Sequence, residues 1–361
     1  MPKLQKKPTH IFLFTSLLLT VIGYCFVYSA GSYWGKVHYE DSLPFFWKQF
    51  FYGTLGMLCA WIILKANFIS NHKFWLSAYI LSILLLFAVY IPGLGVVRNG
   101  SQSWIQIAGF SLQPAEFVKI SVIGFLACIL AKGTNLKTKS FIRPLLICLV
   151  PAGIILVQPD FGTAFLLIVG GFSLLFIAGL PMRFFVSIGV IGVLGIVGLI
   201  ASAPYRLQRI YAFLDPWADP LNSGFQGIQS LLAIGPSGLF GHGFGNSRQK
   251  FLYLPEPQND FIFSIIVEEM GFFGALILIS LFILFLYTGY RLAILAPTKV
   301  GFFAIAGLQS MIGFQIFLNI GVVVGLFPVT GVTLPFISYG GSSLLSTWLI
   351  VGLILRFSKD I

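Results

Sequence analysis

The sequence predicts an all-α polytopic membrane protein with about ten transmembrane helices and with both termini on the inner side of the membrane. Of its 361 residues, 57% are apolar and only 9% are charged, and the mean hydropathy is +0.94. Apolar runs long enough to cross a hydrocarbon layer of about 30 Å recur along the chain. This composition excludes a soluble domain, so the net charge of +11 indicates topology and not a nucleic-acid partner.

Ten apolar runs give the predicted spans, and we treat residues 1–361 as one transmembrane domain. The first run follows a lysine-rich start and resembles a signal peptide, but equivalent runs follow throughout, so we expect an uncleaved first span. The fifth run is short, and only Gln158-Pro-Asp-Phe-Gly162 separates it from the sixth. The runs lie near 11–32, 45–65, 74–93, 113–131, 144–158, 162–180, 184–202, 261–288, 300–324 and 337–356.

The distribution of charge orients these spans. With the N-terminus inside, more than half of the 22 Lys and Arg residues fall in the inner segments, which is the bias expected for an N-in, C-in protein. Of the 11 acidic residues, all except Asp360 fall on the outer side. We therefore expect the working face to be extracytoplasmic.

Three outer segments have the composition of functional loops. The segment 203–260, before the eighth span, is the longest, and loops of this length are usually functional or disordered. It is too apolar for a disordered tail, so we expect short helices and re-entrant pieces packed on the bundle. Segments 94–113 and 325–343 are shorter, and the latter is rich in Gly, Pro, Ser and Thr at membrane depth. Non-helical backbone there must be buried in protein or line a watery cavity.

Asp260 lies where the long loop becomes the eighth span, and Glu268 and Glu269 follow it. Carboxylates are costly near a bilayer, so three within ten residues suggest chemistry or ion handling. Two interpretations of Asp260 stay open: a carboxylate that stabilises the helix N-terminus, or a general base or metal ligand facing an outer cavity. On a helix, Ser264 and Glu268 would extend a polar stripe from Asp260, whereas Glu269 would point towards a neighbouring helix.

Two further outer positions combine charge with an apolar setting. Glu116 and Lys119 are spaced i, i+3 near the outer end of the fourth span, either as a structural pair or with Lys119 presented to an anionic headgroup, since a lysine in a span seldom faces lipid. Asp160 lies at a helix break, where it either caps the sixth span or bonds to another outer loop.

The outer cations form a third group. Some are interfacial side chains that snorkel to water, but together with Lys119 they are suited to neutralise a phosphate or pyrophosphate. The four histidines show no metal-ligand spacing, and the chain has no P-loop, dinucleotide fingerprint or serine-hydrolase elbow, which argues against ATP-driven transport by this chain alone. The cations are Arg98, Arg206, Arg209, Arg248 and Lys250.

Four motifs in order resemble the SEDS family (shape, elongation, division and sporulation), and the resemblance covers nearly the whole chain. Other segments, such as Leu214-Asp-Pro-Trp217, look more like the division- and sporulation-type members than the elongation-type ones. The motifs are Gln113-Pro-Ala-Glu-Phe-Val-Lys119, Gln158-Pro-Asp-Phe-Gly-Thr163, Leu254-Pro-Glu-Pro-Gln-Asn-Asp-Phe-Ile-Phe263 with Glu268-Glu269-Met-Gly271, and Pro328-Val-Thr-Gly331 with Leu334-Pro-Phe-Ile-Ser-Tyr-Gly-Gly-Ser-Ser343.

The resemblance implies a peptidoglycan glycosyltransferase that polymerises lipid II on the outer face of the bacterial cytoplasmic membrane, in division or sporulation. It also implies a class B penicillin-binding protein as the transpeptidase partner, and no nucleic acid. The family's essential aspartate maps onto Asp260, which is the predicted catalytic residue. A cofactor is not required by the resemblance, but if a divalent ion (Mg or Mn) is used, Asp260 is its expected ligand. Supporting roles are expected for Glu116, Asp160, Glu256, Glu268 and Ser338.

One departure from the family pattern concerns the substrate-binding cations. Many relatives place an arginine in the Asn-Gly-Ser-x-Ser-Trp region, where this chain has Gln102 and Ser103, so Arg98 is the candidate substitute.

The rival function is a lipid II flippase that uses the buried charges as a path, although only the outer face carries acidic residues. A scaffold for a penicillin-binding protein is a third possibility, which leaves Asp260 without a role.

Overall fold

The computed structural model describes residues 3–66, 71–98, 100–107, 110–133, 141–190, 213–222 and 224–359. Within these ranges the chain is mostly helical, and residues 182–190 are also helical. The helices are α1 (Lys3–Tyr39), α2 (Pro44–Lys65), α3 (His72–Ala88), α4 (Pro114–Leu130), α5 (Ile142–Val157), α6 (Phe161–Ile177), α7 (Phe225–Ile234), α8 (Ile262–Ile294), α9 (Lys299–Val323) and α10 (Gly341–Phe357).

Several helices begin at residues that the sequence marks as helix starts. Pro44 and Pro114 occupy the first turns of α2 and α4, where a missing N–H costs nothing. The side chains of Asn71 and Thr298 accept hydrogen bonds from Lys73 N at 2.9 Å and Gly301 N at 3.0 Å. Such caps satisfy backbone donors that the first turn leaves free.

In the part of the chain that the structure describes, three helices are long and apolar enough to cross a membrane, and shorter apolar helices accompany them. The long ones are Lys7–Tyr39 within α1, α8 and α9; α3, α5, α6 and α10 have 10–17 residues. These lengths establish a multi-helix membrane protein without fixing the predicted count of ten spans. Much of the predicted seventh span, 184–202, and the first part of the long loop lie outside the described residues.

The prediction of an all-α chain is wrong for residues 95–112. These form a three-stranded antiparallel sheet in the order β1 (Gly95–Arg98), β2 (Ser101–Ile107) and β3 (Phe110–Leu112). Along β2 the buried residues Ser103 and Ile105 alternate with more exposed ones, which is the period of a strand with one covered face. Gly100 takes a positive φ of 79° in the connecting turn. The sheet leads directly into α4.

The bundle core surrounds α4, α9 and α10. Nearly every residue of α4 is buried. Helix α2 packs along α10, α1 along α8 and α3 along α4, while α9 contacts α4, α6 and α8. The short helix α7 packs against α8 and α9, which confirms the prediction that the long loop contains a short helix on the bundle. The starts of α4, α6, α8 and α10 converge with the end of α9 around the loop 324–340.

Candidate active site

The junction that carries Asp260 is held by helix α9. Helix α8 begins at Ile262, its N-cap is Phe261, and no side chain caps it. The Asp260 carboxylate therefore makes no capping hydrogen bond within the described residues. Both interpretations of this residue, stabilisation of the helix N-terminus by its charge or action as a base or metal ligand, stay predictions. Asn319 Nδ2 donates a hydrogen bond of 2.7 Å to the backbone carbonyl of Asp260. The side chain of Asp260 is half-buried.

The surroundings of Asp260 favour its neutral form more than water does. Burial raises the pKa of Asp260 to about 6; hydrogen bonding with its own backbone opposes this rise, and the Glu256 carboxylate adds to it. An ordinary aspartate has a pKa of about 4. A carboxylate that titrates close to neutral pH is a better proton acceptor for a sugar hydroxyl than a strongly acidic one.

Glu256 shapes the turn that precedes Asp260. Its Oε2 accepts a bond of 2.6 Å from Asn259 Nδ2, and its carbonyl accepts one of 3.0 Å from Asn259 N. Glu256 also takes a positive φ of 44°, which is uncommon for a residue with a side chain. The contacts agree with the predicted loop-positioning role of Glu256.

Glu268 and Glu269 fasten the long loop to α8. Glu268 accepts a hydrogen bond from the Ser247 hydroxyl and bonds of 2.8 and 3.4 Å from the backbone N–H groups of Arg248 and Gln249. Glu269 accepts one of 2.6 Å from Ser29 on α1, as the prediction of a bond to a neighbouring helix required. Both glutamates are buried, so the predicted polar stripe is not an open path.

Lys250 completes this arrangement as a buried cation. Its Nζ lies 3.3 Å from Glu269 Oε1 and also donates to the carbonyl of Gly245 and to Ser29 Oγ. An ammonium enclosed in this way is a structural partner of a carboxylate. Substrate binding by Lys250 therefore stays a prediction that requires the pair to open.

The backbone of the long loop donates hydrogen bonds at a break in helix α8. Gly271 has φ 67° and ψ −164° inside the helix. The loop backbone crosses at this point: His242 N and Gly243 N donate to the carbonyls of Glu268 and Glu269 at 3.0 and 2.9 Å. A Cβ on Gly241 would lie 2.3 Å from the Glu269 carbonyl oxygen. Residues 238–243 thus pack on α8, while re-entry of this segment into the membrane stays a prediction. The break separates 262–270, most of it buried, from the rest of α8.

Glu116 and Lys119 form the predicted i, i+3 pair and belong to a wider buried network. Lys119 Nζ lies 2.8 Å from Glu116 Oε1 and 3.3 Å from Gln315 Oε1 on α9. Ser346 of α10 donates a bond of 2.6 Å to Glu116 Oε2. Lys119 is only 1% exposed, so contact with a substrate headgroup stays a prediction here too.

Asp160 combines the two roles that the sequence left open. Its Oδ1 caps α6 by accepting a bond of 3.1 Å from Thr163 N, and its Oδ2 accepts one of 2.7 Å from Gln113 Nε2. Burial raises the pKa of Asp160, while the bonds from Thr163 and Gln113 oppose that rise. The residue ties the start of α6 to the start of α4.

The remaining predicted residues fall into three groups. Arg98 and Arg248 have exposed side chains; Arg98 donates a bond of 2.7 Å to Ser111 Oγ and lies over the Trp104 ring. Ser338 is buried and accepts a bond of 2.8 Å from Leu334 N within the loop 324–340. Arg206 and Arg209 lie outside the described residues.

No metal group is visible in the part of the chain that the structure describes. There, no three His, Cys, Asp or Glu side chains are arranged to hold an ion, and a divalent ion at Asp260 stays a prediction. Two cavities, of about 410 and 560 Å³, lie beside Tyr79 and beside Lys299. Neither is lined by a predicted site residue.

Sequence reasoning missed the two amides of α9 that connect these elements. Asn319 bonds to Asp260, and Gln315, one turn earlier, accepts from Lys119 and donates a bond of 3.0 Å to the Thr333 carbonyl. The available signal was two carboxamides spaced i, i+4 in a mostly apolar helix, a pattern that places both on one face. Together the contacts present one titratable carboxylate on a braced loop–helix junction, with exposed arginines among the predicted site residues. Such an arrangement can accept a proton and attract an anion.

Known proteins of similar sequence identify the family of this chain. The family model that covers FtsW, RodA and SpoVE, described as a cell cycle protein, matches residues 9–361. Stage V sporulation protein E of Bacillus subtilis (strain 168) is 44% identical over 358 residues, which are 98% of each chain. The probable peptidoglycan glycosyltransferase FtsW of Geobacter sp. (strain M18) is 37% identical, with 96% of each chain covered.

Two solved structures share the fold. A chain of a peptidoglycan synthase complex, studied for the coordination of polymerization and crosslinking, superposes with a TM-score of 0.80 at 31% identity and with 96% of both chains covered. The rod shape determining protein RodA of Thermus thermophilus gives 0.71 at 28% identity, covering 96% of this chain and 95% of its own. The names of these relatives do not favour the flippase alternative. With a match that spans nearly its whole length, the chain belongs to the FtsW/RodA/SpoVE family of cell cycle proteins, the SEDS membrane proteins that its motifs resemble.

Proposed function

We propose that this protein is a peptidoglycan glycosyltransferase that polymerises lipid II into β-1,4 glycan strands and releases undecaprenyl pyrophosphate. The observation that carries the proposal is Asp260: a carboxylate with a pKa near 6 that caps no helix and lies on a junction braced by α9. Relatives of matching length are named as peptidoglycan glycosyltransferases, and a related chain belongs to a peptidoglycan synthase complex.

Asp260 acts as the general base in this proposal. The 4-hydroxyl of the acceptor GlcNAc attacks the anomeric carbon of MurNAc on the lipid-linked donor, and the Asp260 carboxylate takes the hydroxyl proton. The bond from the anomeric carbon to the pyrophosphate oxygen breaks, with inversion. A positioned base contributes about 10²–10⁴-fold to such a step, because an unassisted sugar hydroxyl is a weak nucleophile near neutral pH.

The leaving pyrophosphate needs charge neutralisation more than protonation. Arg98 and Arg248 are exposed cations on segments of the same outer region, and guanidinium groups bind phosphate oxygens in a planar fork. We assign them this role. Lys119 and Lys250 join them only if their buried pairs open, and Arg206 and Arg209 retain the same predicted role. If a divalent ion assists, Asp260 is the ligand we propose for it.

The proposal fixes the membrane arrangement and the partner. The chain spans the bacterial cytoplasmic membrane about ten times, with both termini inside and Asp260 facing outward, so that lipid tails lie between helices while the sugars face the outer loops. It acts in cell division or sporulation beside a class B penicillin-binding protein that crosslinks the glycan. Support comes from the charge distribution of the loops and from the family membership.

The test is glycan polymerisation by purified protein in detergent or proteoliposomes with lipid II, with and without the penicillin-binding partner. We expect Asp260→Asn to lose at least about 100-fold in rate while keeping the elution profile and melting temperature of the unmodified protein. Glu40→Gln, which alters an exposed outer carboxylate, is the matched control and should polymerise normally. Normal polymer formation by a folded Asp260→Asn protein would overturn the assignment, and translocation of lipid II without polymer would favour the flippase.

A further inference from the structure

One side chain, Asn319, holds together two segments that lie far apart in sequence. It belongs to α9, is 1% exposed, and donates bonds of 2.7 Å to the carbonyls of both Asp260 and Val332. A carboxamide nitrogen carries two hydrogens, and here both are used. Because both neighbours are carbonyl acceptors, the orientation of the amide follows from its partners.

The donors of Asn319 are chemically hard to replace. Aspartate has the same shape, but when ionised it has no hydrogen to donate. Leucine has nearly the same volume and likewise offers no donor. Either substitution leaves the Asp260 and Val332 carbonyls facing a group that cannot bond to them. The Val332 bond is the buried one, and a buried carbonyl without a partner is costly.

Gln315 extends the same arrangement by one helical turn. Its Nε2 donates a bond of 3.0 Å to the Thr333 carbonyl, and its Oε1 accepts a bond of 3.3 Å from Lys119. Two amides on one face of α9 thus hold the consecutive residues Val332 and Thr333. Helix α9 therefore contacts the loop 324–340, the Glu116–Lys119 pair and the Asp260 junction. It holds them in fixed positions relative to one another.

We propose that Asn319 is the positioning residue of Asp260: by joining the Asp260 and Val332 carbonyls, it sets the depth and direction from which the Asp260 carboxylate meets the acceptor hydroxyl. The inference rests on the proposed function, since it assigns a role within that reaction. Its physical basis is that a base displaced by about 1 Å loses about 10²-fold in rate, even when substrate binding is unaffected.

The closing experiment compares Asn319→Leu with Gln309→Leu in the polymerisation assay with lipid II and the penicillin-binding partner. Gln309 is a matched control because it is a fully buried amide on the same helix and, among the described residues, neither of its polar side-chain atoms has a hydrogen-bond partner. We expect Asn319→Leu to lower kcat about 10- to 100-fold with little change in the KM for lipid II. Gln309→Leu should keep both constants.

The pH–rate profile separates positioning from a general loss of structure. A base must be ionised, so the rate of the unmodified protein should rise with pH through about 6, the pKa of Asp260. In Asn319→Leu the released junction admits more water, so the acid limb should move below 6. Among the described residues, Glu256 is the charged group that raises the pKa of Asp260, whereas α9 and Val332 place no charged side chain against it. Glu256→Gln should therefore move the acid limb of the profile to lower pH, with a smaller reduction in kcat than Asn319→Leu causes.

The outcomes of this experiment are distinct. If Asn319→Leu matches the unmodified protein in kcat and in acid limb while Asp260→Asn is inactive, the inference is overturned and the proposed function stands. If the unmodified protein and its partner make no glycan at all, the proposed function fails, and the inference fails with it. Should Asn319→Leu not fold, Asn319→Ser, which keeps one donor, is measured by the same two readouts: an intermediate kcat with a lowered acid limb supports the inference, and an unmodified profile contradicts it.

Discussion

Two buried lysine–glutamate pairs in the described part of the chain differ in how they are assembled. Glu116 and Lys119 come from one turn of α4, lie 2.8 Å apart, and have additional partners on α9 and α10. Glu269 and Lys250 come from a helix and a loop and lie 3.3 Å apart, and no described residue bonds to Glu269 Oε2. One pair joins helices to helices, and the other fastens a loop to a helix.

This difference indicates what each pair does. Removing a charge from the first disturbs the relative positions of α4, α9 and α10, on which the Asp260 junction depends through Asn319. Removing a charge from the second frees residues 247–250 and, with them, the backbone crossing at Gly241. We therefore expect the first pair to control both stability and activity, and the second to control mainly the order of the long loop.

The largest effect is expected from Lys119→Met. The substitution leaves the Glu116 carboxylate in the core with Ser346 as its remaining donor, and breaking a buried pair in this way costs about 3–5 kcal/mol. The melting temperature of the purified protein should fall accordingly, with loss of polymerisation. The double variant with Glu116→Gln removes both charges and should recover most of the melting temperature without the activity; recovery of both would assign the pair no role beyond folding.

Lys250→Met should have a smaller effect, at or below the lower end of the same range, about 3 kcal/mol. Glu269 keeps its bonds from Ser29 Oγ and Ser247 N, so its carboxylate still has two hydrogen-bond donors. Hydrogen exchange should increase across 238–250 but not in α4 or α9. Adding Glu269→Gln should restore the protection, and an unchanged exchange pattern in Lys250→Met would show that the pair does not hold the loop.

A third comparison tests the crossing beside the second pair. Gly241 and Gly245 both have positive φ, 72° and 81°, but a Cβ at Gly241 meets backbone atoms of α8 whereas one at Gly245 meets nothing within 4 Å. Gly241→Ala should cost about 1–3 kcal/mol more than Gly245→Ala, because only the former overpacks a fixed backbone. Thermal unfolding of the two variants provides the measurement; equal losses would mean that the crossing opens without cost.

The smallest effects are expected at the serines that donate to each pair. Ser29→Ala removes the shortest bond to Glu269, whereas after Ser346→Ala Glu116 still has Lys119 at 2.8 Å. Hydrogen bonds to charged groups contribute about 1.5–3 kcal/mol; both losses should lie near the lower value, with Ser29→Ala the larger of the two. Melting temperatures rank the two variants, and the reverse order would contradict the view that the second pair is the less completely partnered one.

Much of the candidate site followed from local patterns. The spacing of Glu116 and Lys119 predicted their contact because residues three apart on a helix face the same side. For Asp160, the residue type and the helix break predict either a cap or a bond to another outer loop, and both bonds are present. The supporting roles of Glu256 and Glu268 stay predictions. Each of these inferences needed only the residues within one or two turns.

The features that local patterns do not predict come from packing between segments. Lys119 and Lys250 are predicted to meet substrate, and burial against Gln315 and Glu269 encloses them, so this contact stays a prediction. The role of Asn319 and the sheet at 95–112 were not predicted. In each case the outcome depends on which segment packs against the residue in question, and the composition of the chain does not predict that.

The sequence by itself determined that this is a membrane protein of many helices, near which residues several of those helices begin, and which family its motifs resemble. The helices follow from the transfer of apolar runs out of water and from hydrogen bonds within single turns. Only the tertiary structure decided how Asp260 is held, which cations are enclosed and where the long loop crosses α8. Those contacts join residues such as Asp260 and Asn319, which the chain brings together only when the whole bundle has packed.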